Sequence, residues 1–237
     1  MAKKSKKHRE AASKIESRQY QLDEAVTLLK SFDTAKFDET VEVAMRLGVD
    51  PRHADQQVRG VILMPAGLGK TVRVLVFAEG EAERIANEAG ADIVGADELI
   101  AEVEGGFMDF DVAIAVPEMM RKMGKLGKVL GPRGLMPSPK AGTVVQAEDI
   151  PRVIEETRAG RVEYRNDRTA NLHTVIGKAS FTPDALMQNF SALMDAIRRD
   201  RPASAKGQYI RKMVVSSTMR PGVKIDPNIA LALEVAE

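Results

Sequence analysis

The chain has 237 residues, 44% of them hydrophobic and 29% charged, with no cysteine and a net charge of +1. That balance excludes disorder throughout, and the missing thiols exclude a disulfide framework, thiolate catalysis and thiolate-bound zinc. A uniformly basic nucleic-acid coat is excluded too, so the distribution of charge carries the information.

Residues 5 to 32 read as helical, with Leu22, Ala25, Val26 and Leu29 on one face. The period then changes to two. Val41, Val43 and Met45 alternate with Thr40, Glu42, Ala44 and Arg46, the pattern of a half-buried strand that Gly48 and Pro51 end. Residues 58 to 64 predict another strand, and Pro65–Gly69 break the chain. The β-branched run Thr71–Phe77 predicts a buried strand. A helix over Glu81–Glu88, a short strand at Asp92–Val94, a helix over Asp97–Val103, a strand over Asp111–Val116 and a helix from Pro117 follow. Strands alternating with helices imply a parallel sheet with helical crossovers.

Residues 124 to 142 are rich in Gly and Pro and read as an ordered loop. Val144–Val145 and a helix over Glu148–Thr157 close this block near Gly160. Arg161–Arg165 and Leu172–Ser180 then read as strands around a turn at Asn166–Asp167. Thr182-Pro183-Asp184 is an N-cap signal for a helix from Pro183 to about Arg199. Tyr209–Thr218 reads as the last long strand. The expected fold is therefore mixed: a split α+β domain made from residues 1–66 and 160–237, with an α/β domain over 67–159 inserted between its halves. The Gly-containing crossings near 65–69 and 159–160 suit a hinge.

Most catalytic readings fail on spacing. Gly67-Leu68-Gly69-Lys70-Thr71 ends like a phosphate-binding loop, but Met64 stands where that motif needs Gly, and a strand follows where phosphate capture needs a helix. His8, His53 and His173 lack metal-ligand spacing, so no cofactor and no metal is expected. No apolar run approaches the ~20 residues that would cross a bilayer, and the basic N-terminus lacks the apolar stretch of a secretory signal. A cytoplasmic protein is expected.

RNA binding fares better. Lys3–Arg9 is a dense basic cluster, and Arg121, Lys122, Lys125, Lys128, Arg133 and Lys140 lie in a stretch without an acid. Local basic patches on a near-neutral chain suit one polyanion held at defined surfaces. The strand from Asp38 to Arg46 carries Thr40 and Glu42, which can bond ribose hydroxyls or base edges, and Lys36 before it can meet phosphate. Aromatics are only 4%, which favours a folded RNA over single-strand threading. Phe37 shares parity with Val41 and Val43 and is expected, on pattern alone, to pack inward. A nucleotide-dependent enzyme using Gly67–Thr71 and a protein-interaction module are the competing readings.

The segment Gly124-Lys125-Leu126-Gly127-Lys128-Val129-Leu130-Gly131-Pro132-Arg133-Gly134-Leu135-Met136-Pro137-Ser138-Pro139-Lys140-Ala141-Gly142-Thr143-Val144 resembles the signature of the bacterial large-subunit ribosomal protein L1 family, the stalk proteins. Lys36–Glu42 is similar to a second family block, and Ser217-Thr218-Met219 with Pro221-Gly222 to a third. The resemblance runs in order through essentially the whole chain. It implies a non-enzymatic protein whose split domain grips 23S rRNA and whose Rossmann-like inserted domain projects outward. It further implies help in releasing deacylated tRNA from the exit site, and repression of the protein's own messenger through its leader.

Carried over by position, the RNA contacts implied are Lys36, Phe37, Thr40 and Glu42 on the first strand. Asp167, Thr169 and His173 follow from the turn and the strand after it, and Lys212, Ser216, Thr218 and Met219 from the last strand. Phe37 thereby moves from core to contact. Two positions depart from the family, which has Gly where Ala170 and Arg220 stand here. Either the backbone at those points does not need Gly or the contact surface is altered, and Arg220 would add a phosphate contact or crowd the RNA.

Overall fold

The structure, a computed structural model, describes residues 5–32 and 35–228. Lys3 and Lys4 of the basic cluster lie outside them. The helices are α1 (Lys6–Ser13), α2 (Leu22–Lys30), α3 (Glu81–Glu88), α4 (Asp97–Glu104), α5 (Pro117–Lys122), α6 (Gly127–Leu130), α7 (Ile150–Ala159) and α8 (Pro183–Arg199). The strands are β1 (Thr40–Leu47), β2 (Arg59–Leu63), β3 (Val74–Phe77), β4 (Ile93–Gly95), β5 (Val112–Ala115), β6 (Arg161–Arg165), β7 (Asn171–Lys178), β8 (Ile210–Ser217) and β9 (Val223–Ile225). The protein is a mixed α/β chain that divides into two compact units. One gathers the described residues up to Gly69 and from Val162 onward, and the other is Lys70–Arg161.

The first unit is built on a four-stranded antiparallel sheet in the order β7-β1-β8-β9. Its inner face follows from alternation. Val41, Val43, Met45 and Leu47 of β1 are buried, as are Met213 and Val215 of β8. Against them lie Leu22, Ala25, Val26 and Leu29 of α2, and Leu186, Phe190, Leu193 and Ile197 of α8, in one continuous core. The α8 start is set by Thr182, whose side chain accepts from the Ala185 amide at 3.2 Å.

Two sequence expectations change here. The helix expected over 5–32 is broken into α1 and α2, because Tyr20 between them is drawn into a parallel bridge with Ile225. Its amide donates to Lys224 O at 2.9 Å. The two strands expected around Asn166–Asp167 do not form a hairpin. β6 pairs with β2 in a separate two-stranded sheet, β7 pairs with β1, and only an Asn166–Leu172 bridge joins them.

The second unit has a parallel sheet in the order β4-β3-β5. Val74, Leu75, Val76 and Phe77 of β3 are all fully buried, as a central parallel strand covered on both faces requires. A bridge between Ala115 and Val144 extends the β5 edge. The segment expected to be a loop over 124–142 is partly helical: a 3-10 turn at Met123–Leu126, α6, and a second turn at Pro139–Ala141. Met123, Leu126 and Leu130 sit three and four residues apart and are fully buried, and that burial holds the helical turns despite the glycines.

Candidate nucleic-acid interface

The alternation that buries one face of the first unit's sheet presents the other. Glu42 stands between Val175 of β7 and Ser216 of β8, Ala44 between His173 and Val214, and Arg46 between Asn171 and Lys212. Thr40 heads the row opposite Lys178, whose amine donates to the Thr40 hydroxyl at 2.9 Å. Thr218 accepts from the Thr40 amide at 3.0 Å. Thr40, Glu42, His173, Lys212, Ser216 and Thr218 therefore share one outward surface, although they come from three distant stretches of chain.

At the Thr40 end of that surface lie Lys36, Phe37 and Met219, all exposed. Phe37 is 53% exposed and Met219 59%, high values for large apolar side chains. The inward expectation for Phe37 fails because β1 begins at Thr40. Phe37 lies ahead of it in a bend, where the strand's parity does not reach.

Glu39 fastens this end. Its carboxylate is 1% exposed and accepts from the Ser217 hydroxyl at 2.6 Å, the Ala35 amide at 2.9 Å and the Met219 amide at 3.3 Å. Arg220, also buried, approaches it at 3.4 Å. Burial alone would raise the Glu39 carboxyl. The hydrogen bonds from Ser217, Ala35 and Met219 and the Arg220 charge outweigh that and hold it below its ordinary value. One side chain thus ties the loop carrying Phe37 to the turn carrying Met219. Arg220 neither reaches outward for phosphate nor crowds the surface. It turns inward, on ordinary backbone that does not require glycine.

Asp167 and Thr169 lie in the turn between β6 and β7, beyond the Arg46 end. Their side chains bond each other: the Thr169 hydroxyl donates to Asp167 Oδ1 at 2.8 Å, and Asp167 also accepts from the Thr169 and Asn171 amides at 2.8 and 2.7 Å. Burial pushes the Asp167 carboxyl up, but these donors overcome it and lower it. The pair organises the turn. The same turn places Ala170 at φ 63°, and among the described residues Ala170 is the one non-glycine at positive φ. This backbone does want the family's Gly, and the Cβ is strained there. Ala170→Gly should stabilise the first unit by about 0.5–1 kcal/mol, the relief of αL strain less the entropy glycine adds to the unfolded chain. Thermal melting followed by tyrosine fluorescence checks it, since Tyr20, Tyr164 and Tyr209 all belong to that unit. A lowered melting temperature would show the φ to be harmless.

The decoy loop has a structural explanation. Gly69 sits at φ 66°, where a Cβ would come within 2.6 Å of the Phe181 ring. In the other unit, Lys70 pairs with Asp111 at 2.5 Å. In that unit Arg121, Lys125, Lys128, Arg133 and Lys140 are exposed, whereas Lys122 is held at 3.0 Å by both Glu79 and Asp97. Among the described residues no cluster of His, Asp or Glu suits a metal, and no helix is long and apolar enough to cross a membrane.

Sequence reasoning missed Arg46 and Glu39. Arg46 was recoverable, since it shares parity with Thr40 and Glu42. The burial of Glu39 was not, because Ser217, Met219 and Arg220, which close over it, lie at the far end of the chain.

Known proteins resemble this chain along nearly its whole length. The model of the ribosomal protein L1p/L10e family matches residues 29–221. The large ribosomal subunit protein uL1 of Dehalococcoides mccartyi (strain ATCC BAA-2266 / KCTC 15142 / 195) is 56% identical over 95% of this chain and 96% of its own. That of Chloroflexus aurantiacus (strain ATCC 29366 / DSM 635 / J-10-fl) is 54% identical over 99% and 100%. That of Cutibacterium acnes (strain DSM 16379 / KPA171202) is 56% identical over 95% and 97%. The chain belongs to the ribosomal protein L1 family, whose members are structural proteins of the ribosome and not enzymes.

Proposed function

We propose that this protein is a constituent of the large ribosomal subunit that grips a folded stalk of 23S rRNA with the outward face of the β7-β1-β8-β9 sheet. The observation that carries the reading is the gathering of Thr40, Glu42, His173, Lys212, Ser216 and Thr218 on one surface, with Phe37 and Met219 exposed at its end. Hydroxyls and a carboxylate at strand spacing suit ribose hydroxyls and base edges, and an exposed aromatic ring suits a base. The second unit, with exposed Arg121, Lys125, Lys128, Arg133 and Lys140, contacts exit-site tRNA and assists release of the deacylated molecule. The sheet face also takes the leader of the protein's own messenger and represses its translation. The protein works in the cytoplasm, on the ribosome.

Binding to a folded stalk fragment of large-subunit rRNA, across a salt series and against an unrelated duplex, tests the main claim. Tight binding to the stalk that survives moderate salt supports it. Equal, weak, salt-labile binding to both RNAs would sink it. Phe37→Ala should weaken stalk binding by about 1–3 kcal/mol, the range for an aromatic stacked on a base. Because the ring is exposed, the same change should move stability by less than about 0.5 kcal/mol.

A further inference from the structure

The outward face is polarised along its strands. The Thr40 end carries hydroxyls, an acid, two exposed apolar side chains and two lysines: Lys36, which is exposed, and Lys178, whose amine is bonded to the Thr40 hydroxyl. The other end carries Arg46 and Lys212, directly opposite each other on β1 and β8. Lys224 of β9 stands opposite Val214, one row along and on the same face. All three cations are exposed. None makes an ion pair with any described residue. Two acids lie near this end. Asp226, which follows Ile225 and continues the β9 register to the position opposite Lys212, accepts from the Asn228 amide at 2.9 Å. Asp167 directs its oxygens at Thr169 and Asn171. Like charges set opposite each other across an antiparallel pair destabilise the sheet. A free protein gains nothing from this arrangement, whereas a polyanion laid over it would convert repulsion into attraction.

We infer that Arg46 and Lys224, with Lys212, form a phosphate-binding end of this face. The RNA backbone is anchored there, and the Thr40–Met219 end reads sugars and bases. Glu42 adds to the polarity: a carboxylate repels phosphate, so away from Lys36 the backbone cannot cross the Thr40 end as readily. From Thr40 to Arg46 is six strand steps, about 20 Å at ~3.3 Å each, long enough for the two ends to meet different parts of one RNA fold. The inference rests on the RNA-binding reading and deepens it.

The test compares the full chain with Arg46→Gln/Lys224→Gln on the stalk fragment over a salt series. Each phosphate contact contributes ~0.7–0.9 to the slope of log K against log salt, so the double variant should lose about 1–2 units of slope. It should keep its preference for the stalk over an unrelated duplex. Thr40→Ala/Ser216→Ala should do the reverse, with slope unchanged and preference reduced. In the free protein, Arg46→Gln alone should hold or raise the melting temperature at low salt, since it relieves the apposition with Lys212. An unchanged slope in Arg46→Gln/Lys224→Gln, with wild-type binding intact, overturns the phosphate end and leaves the RNA-binding reading standing. A wild-type chain that fails to bind the stalk overturns both.

Discussion

Glu39→Ala should destabilise the first unit by about 3–5 kcal/mol, the range for removing one partner of a buried ion pair. The change strands the buried Arg220 guanidinium and takes the acceptor from the Ser217 hydroxyl and from the Ala35 and Met219 amides. The ion contact is 3.4 Å long, so most of the loss is assigned to unsatisfied donors and an uncompensated charge. Urea unfolding followed by tyrosine fluorescence reads it. A loss below about 1 kcal/mol would mean that water replaces the carboxylate at no cost. Glu39→Gln/Arg220→Met removes both charges while keeping bulk, and should cost less than Glu39→Ala.

The pH dependence has a definite sign. The folded Glu39 carboxyl lies below its ordinary value, so its contribution is present above the ordinary glutamate range and is lost as pH falls through the lowered folded value. Arg220→Met removes one of the lowering influences. Acid unfolding of that variant should begin at a higher pH than in the parent chain.

Asn189→Leu should cost about 2–4 kcal/mol, for one buried and two part-buried polar groups left without partners at ~1–3 each, summed less than additively. Asn189 is fully buried on α8. Its Oδ1 accepts from the Ala66 amide at 2.9 Å, and its Nδ2 donates to Gly67 O at 2.9 Å and Ile176 O at 2.8 Å. Leucine fills the space and satisfies none of them. Denaturation midpoints for the parent and variant decide the matter, and a change within about 0.5 kcal/mol would show these backbone groups to be solvated some other way. Asn189→Asp should fare no better, because a carboxylate meets the Ala66 amide but cannot donate to either carbonyl.

The sequence by itself determined what depends on neighbours along the chain. Period-two alternation placed β1 and told its buried residues from its outward ones, and a proline with a threonine cap located α8 to the residue. The run Thr71–Phe77 was legible as a buried parallel strand, although the strand proper begins at Val74. The family-specific segment 124–144 was legible as a signature, but its glycines concealed the helical turns that Met123, Leu126 and Leu130 stabilise by burial. Pairing was decided only by the tertiary structure. Arg161–Arg165 joins β2 across about a hundred residues, and Tyr20 interrupts a helix to bridge Ile225. Energies of that kind come from contacts that no local window contains. The interface divides the same way. Thr40, Glu42 and Arg46 share a face by parity alone, whereas their meeting with His173, Lys212 and Ser216 needs a sheet register. The inward turn of Arg220 and the strain at Ala170 were decided by the fold, because a buried carboxylate drew in the one and a hydrogen-bonded turn imposed positive φ on the other.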